Sequence, residues 1–72
     1  MKLDHLRYFD RLADMLSYTN AAKSLYIAQQ TISAAIKRME QEVGLTLFRR
    51  AEWVASGVEL TEQGLIFHEY VV

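Results

Sequence analysis

The sequence predicts a mainly α-helical fold, three core helices with one small β-hairpin. Three observations carry this. Apolar residues recur at spacings of three and four through 3–16 and again through 29–43, the period of an amphipathic helix. Between these stretches, a short apolar segment meets a longer amphipathic one across the break Tyr26-Ile27-Ala28. Two short runs, 45–50 and Val58-Glu59-Leu60, flank a loop that closes on the turn signal Ser56-Gly57. A support helix, a tight turn and a longer polar-faced helix form a helix-turn-helix, and an added hairpin is its wing.

Each element has its own reason. The first helix, 3–16, gathers Leu6, Phe9, Leu12, Ala13 and Leu16 on one face. Ser17-Tyr18-Thr19 interrupts that pattern, and Thr19 is the expected N-cap of a second helix, 20–25. Ala21 and Ala22 are small where two helices cross closely, and Leu25 and Ile27 point inward. The third helix, 29–43, buries Ile32, Ala35, Ile36, Met39 and Val43 along one stripe and ends at Gly44, suited to a C′ position with positive φ. Thr61 caps a fourth helix, with Glu62 in its first turn where the helix dipole favours an anion. Its Leu65, Ile66, Phe67, Tyr70, Val71 and Val72 are apolar on more than one face. An apolar helix reaching the chain end points to a partner subunit or a longer parent protein, and the chain reads as one domain of the latter.

Composition bounds the function. Seventy-two residues make one small domain, and a chain of that size buries only about 60% of its unfolded surface. Without cysteine it has no disulfide or thiolate metal site, which suits a cytoplasmic protein. It has no signal-peptide pattern and no apolar run long enough to span a membrane. The net charge of −1 argues against a nucleic-acid partner, but its distribution argues for one. Over 20–50, Lys23, Lys37, Arg38, Arg49 and Arg50 exceed Glu40 and Glu42 by three charges. Over 51–72, Glu52, Glu59, Glu62 and Glu69 are unopposed. The positive charge therefore sits on the helix-turn-helix, where a phosphate-facing surface needs it.

Gln29, Gln30, Thr31, Ser33, Ala34 and Lys37 lie opposite the stripe of Ile32, Ile36 and Met39. A glutamine offers a donor and an acceptor in one plane, which matches adenine, and lysine reaches guanine acceptors or phosphate. Gln29, Gln30 and Thr31 are expected deepest in a major groove, with Ser33, Lys37 and Arg38 tracking the backbone. The free N–H groups at that helix start also suit a phosphate. Arg50 is weighed between a phosphate contact and an internal pair with an acidic residue. His5 and His68 read as isolated histidines without a second metal ligand at useful spacing, and no metal site is expected. Trp53, in the acidic loop, reads first as packing back on the wing, with a DNA contact or a partner contact as the alternatives.

These residues, in order, resemble the N-terminal DNA-binding domain of the LysR-type transcriptional regulators. Leu6-Arg7-Tyr8-Phe9 resembles the family's opening helix, and 17–25 its second helix. Gln29 through Glu40, with Ile32, Ser33, Ile36 and Glu40 in step, resembles its recognition helix. The segments 44–50 and 60–64 resemble the wing flanks and the start of its linker helix. The resemblance implies a winged domain over 1–60, with the helix-turn-helix at about 18–37 and the wing at about 47–60, and a linker helix beginning over 61–72. It implies sequence-specific binding of double-stranded DNA by a bacterial regulator through Gln29, Gln30, Thr31, Ser33, Ala34, Lys37, Arg38 and Arg50. It also implies a homodimer through Leu65, Ile66, Phe67, Tyr70 and Val71. No cofactor is expected in this domain; a small-molecule effector is implied only for a C-terminal domain outside this chain.

The chain departs from the family pattern in places. Ala28 stands where a Ser or Thr cap is usual, Gln30 where Pro is frequent and Ala34 where Arg is frequent. The stretch from Arg50 to Leu60 is longer than usual and contains no basic residue between those ends. The acidic total charge, Ala34 and the acidic wing with Trp53 support an alternative, a winged-helix module that contacts protein instead of DNA. An enzyme is a distant third, since the chain shows no nucleophile–base pair, glycine-rich phosphate loop or metal cluster.

Overall fold

Four helices and one hairpin follow the expected order in the computed structural model, which describes residues 3–52 and 57–71. They are α1 (Leu3–Met15), α2 (Tyr18–Leu25), α3 (Gln29–Val43), β1 (Phe48–Arg50), β2 (Val58–Leu60) and α4 (Glu62–Val71). Trp53 lies outside the described residues.

The join between α1 and α2 differs from expectation. Leu16 takes a left-handed conformation with φ 50°, and its N–H reaches Leu12 O at 2.7 Å, which ends α1 at Met15. Ser17 is then extended, with φ −151° and ψ 116°, and its Oγ accepts the Asn20 N–H at 3.2 Å. Ser17, not Thr19, is the N-cap. Both are capping types in one short stretch, and the backbone turn at Leu16 selects the earlier. At its other end α2 closes on Tyr26, also left-handed with φ 58°, and the Ile27 N–H reaches back to Ala22 O at 3.0 Å.

The start of α3 keeps the missing cap that the sequence foretold. Ala28 occupies the N-cap position in extended geometry and makes no side-chain cap bond. Gly44 closes the helix with φ 73°, donating to Glu40 O at 2.9 Å. β1 and β2 pair antiparallel, with Phe48 opposite Leu60, Arg49 opposite Glu59 and Arg50 opposite Val58.

Three helices and the start of the hairpin share one core. Phe9, Leu12, Ile32, Ile36, Met39 and Leu47 are fully buried, and each large side chain so enclosed contributes about 1.5–3 kcal/mol. Ala21 and Ala22 are also buried, letting α2 approach closely. Phe9 is the hub, with ring centroids 5.4 Å from Phe48 and 5.0 Å from Phe67, the latter edge-on. The inward stripe of α3 follows the predicted period through Ile32, Ala35, Ile36 and Met39, while Val43 at its end is only half-buried against the core.

Candidate nucleic-acid interface

Because one face of α3 is committed to the core, its other face is fixed in direction. Gln29, Gln30, Ser33, Ala34 and Lys37 are exposed and line one shallow surface together. Thr31 and Arg38 are also exposed but sit around the helix, lining a groove towards α1 with Asp4, His5 and Tyr8. Thr31, expected at the deepest position, therefore lies on the flank of the polar strip.

Arg50 flanks the strip on the opposite side. The hairpin register places Arg49 against Glu59, and Arg49 Nε donates to Glu59 Oε1 at 2.6 Å. The internal acid pair weighed for Arg50 thus belongs to its neighbour. Arg50 is exposed and makes no ion pair among the described residues. It lines a groove of about 450 Å³ with Ser17, Tyr18, Thr19, Gln29 and Ser33. That groove joins the start of α2, the start of α3 and the wing, with hydroxyl, amide and guanidinium donors around it. Thr19 Oγ1 donates to Gln29 Oε1 at 3.4 Å, so Thr19, displaced from its expected capping role, touches a candidate base-reading side chain. Burial raises the Tyr18 phenol above its ordinary value, and the nearby Glu40 carboxylate adds to this. It is therefore a neutral hydroxyl at neutral pH. Ser17 and Tyr18 were not among the expected contacts; only the fold brings them beside Arg50.

Glu40 ties α3 to the wing. Its Oε2 accepts the N–H groups of Leu47 at 2.8 Å and Phe48 at 3.2 Å. Charge-assisted bonds of this kind are stronger than neutral ones, and they fix where the hairpin leaves the helix.

The residues of α4 divide between two directions. Phe67, expected on a dimer face, packs inward on Phe9, because α4 lies along α1. Leu65, Ile66 and Tyr70 remain outward at 54%, 56% and 87% exposure; the Val71 side chain lies outside the description. His68 is not isolated. Its Nε2 donates to Asp10 Oδ1 at 3.1 Å, across 58 residues of sequence. One carboxylate oxygen from each of Asp10 and Asp14 and a ring nitrogen of His68 lie within 4.8 Å of one another, so the histidine does have acidic neighbours in space. Among the described residues no helix is long and apolar enough to cross a membrane.

Three packed helices, a polar helix face held outward and a two-stranded wing define a winged helix-turn-helix domain. Residues 3–65 match the family described as "Bacterial regulatory helix-turn-helix protein, lysR family", and the chain belongs to that family. It is 51% identical over 69 residues to the HTH-type transcriptional regulator BudR of Klebsiella aerogenes, an alignment covering 96% of this chain and 46% of BudR. Its fold superposes with a TM-score of 0.88 on the BenM DNA-binding domain in complex with catB site 1 DNA, at 38% identity over 99% of this chain and 73% of that one. For the CbnR DNA-binding domain in complex with DNA the TM-score is 0.89, at 31% identity, over 99% and 78% of the two chains. The chain spans less than half the length of BudR.

Proposed function

We propose that this chain is the DNA-binding part of a bacterial transcription regulator, and that it places α3 in the major groove of double-stranded DNA. The observation that carries the reading is the exposed polar strip of Gln29, Gln30, Ser33, Ala34 and Lys37, held outward by a fully buried opposite face. The amide side chains face base edges, and Lys37 reaches a guanine or a phosphate. Thr31 and Arg38 meet the backbone on one flank. Arg50, free of the Arg49–Glu59 pair, meets it on the other. Family membership and the DNA complexes of related domains support this over the protein-contact reading.

The apolar outward residues of α4 support a homodimer, with Leu65, Ile66 and Tyr70 at its centre. Two domains related by a two-fold axis read half-sites about one helical turn apart or a multiple of it. The regulator meets chromosomal DNA, so it works in the cytoplasm. It carries no cofactor in this part, and its small-molecule effector binds a further domain. Lys37→Ala tests the placement of α3. At fixed salt it lowers affinity for a selected duplex while the melting temperature holds, and unchanged affinity removes Lys37 from the interface.

A further inference from the structure

The segment 46–48, which leads into β1, is gripped from both sides. On one side, Glu40 of α3 holds the Leu47 and Phe48 N–H groups through a single carboxylate oxygen. On the other is Thr61, which precedes and caps α4; its Oγ1 donates to Thr46 O at 2.5 Å and its N–H donates to Leu47 O at 3.0 Å. The same Thr61 Oγ1 accepts the Gly64 N–H at 2.9 Å, so the cap of α4 and its anchor to the segment are one hydroxyl. Thr61 is 6% exposed, and no other polar or charged residue among those described is buried. Gly64 is buried and faces the same segment. A Cβ there would overlap the Leu47 carbonyl oxygen and crowd Leu60 Cδ2 at 2.9 Å. The helix has no room to settle differently while Leu47 stays where Glu40 holds it.

We infer that Glu40, Thr61 and Gly64 are positioning residues that lock the direction of α4 to that of α3 through the 46–48 segment, and so set which half-site spacing a dimer accepts. The spacing part rests on the proposed function, because a spacing exists only if α3 reads DNA and α4 joins two copies. The chemistry is specific to a joint. The carboxylate takes the N–H side of the segment and the threonine takes its carbonyl side, so a shift of either helix breaks bonds to the same two peptide units. In a dimer joined at α4, a small rotation at this joint is magnified at the far end of α3. Two half-sites at fixed separation then no longer meet both helices.

The joint can be tested without DNA. The chain has no cysteine, so spin labels can be placed on cysteines introduced at the exposed positions Gln41 on α3 and Glu69 on α4. The parent, labelled and diluted into excess unlabelled chain so that distances between copies drop out, gives one narrow distance distribution between the labels. Gly64→Ala and Thr61→Val shift or broaden it, and Thr61→Ser, which keeps the hydroxyl, restores the parent distribution. If Gly64→Ala fails to fold, the Thr61→Val and Thr61→Ser pair decides the point. An unchanged distribution in the folded variants overturns the joint. The second arm uses the half-site that the parent selects from a pool of random duplexes, presented singly and in pairs at varied spacing. Thr61→Val binds the single half-site as the parent does but loses roughly two- to thirtyfold of the parent's preference among spacings; Glu40→Gln, which also loosens the wing that carries Arg50, is judged by the label distances alone. Equal losses on single and paired sites, with the spacing preference kept, overturn the positioning role. A parent that selects no duplex overturns the proposed function and the spacing claim with it, while the label distances still judge the joint.

Discussion

Helices α3 and α4 treat their outward faces in opposite ways. α3 buries Ile32, Ala35, Ile36 and Met39 and turns Gln29, Gln30, Ser33 and Lys37 to solvent. α4 sends Phe67 and His68 towards α1, yet still exposes Leu65, Ile66 and Tyr70. The first is a helix finished within its own domain, whose free face suits a polar ligand. The second is left with apolar surface, the kind that marks a protein contact. Under the proposed function the difference pairs nucleic acid with α3 and a second copy with α4.

The largest effect is expected at the inner face of α3. Ile36 is 1% exposed, so Ile36→Ala costs about 2–5 kcal/mol in urea unfolding. Leu65→Ala on α4 stays within about 0.5 kcal/mol for the monomer while weakening self-association in sedimentation. A large monomer loss from Leu65→Ala would make α4's outer face part of the domain's own core. Next in size is Lys37→Ala, which loses about 1–3 kcal/mol of DNA affinity in a fixed-salt titration and leaves unfolding unchanged. Ala28→Ser sharpens the account of α3's bare start. The extended backbone at position 28, φ −72° and ψ 148°, already suits a cap, so the serine adds about 1 kcal/mol of stability. The smallest effect belongs to Tyr18. Its folded pKa lies above the ordinary 10.0 through burial and then Glu40. The unfolded chain therefore gives up this proton first, and its contribution, complete at neutral pH, falls as pH rises past 10.0. Tyr18→Phe removes that part of the alkaline loss in unfolding measured from pH 8 to pH 11.

The buried stripe of α3 was legible because helical period and burial coincide at Ile32, Ile36 and Met39. Gly44 and the paired runs of the hairpin were legible from backbone demands that few residues meet. The exposed positions of the α3 strip followed by exclusion. What stayed hidden depended on contacts between distant segments. Nothing local distinguishes Arg49 from Arg50; the strand register does, by setting Arg49 against Glu59. Nothing near His68 foretells Asp10, and nothing near Glu40 foretells the N–H groups of Leu47 and Phe48. The cap at Ser17 was hidden differently, by two equally good capping residues separated only by the backbone turn at Leu16. Thr31 shows the limit of a helical wheel. Exposure was foreseen, but its side of α3 depended on where α1 lay.

Under the proposed function the outward face of α3 meets DNA. The dependence of duplex affinity on salt, for the parent and Lys37→Ala, is the decisive measurement. The parent binds at low salt and weakens steeply as salt rises, and the variant's logarithmic slope is shallower by about 0.9 if Lys37 contacts a phosphate. No binding at low salt, even for a forced dimer, would contradict the account and leave the polar face of α3 to a protein partner.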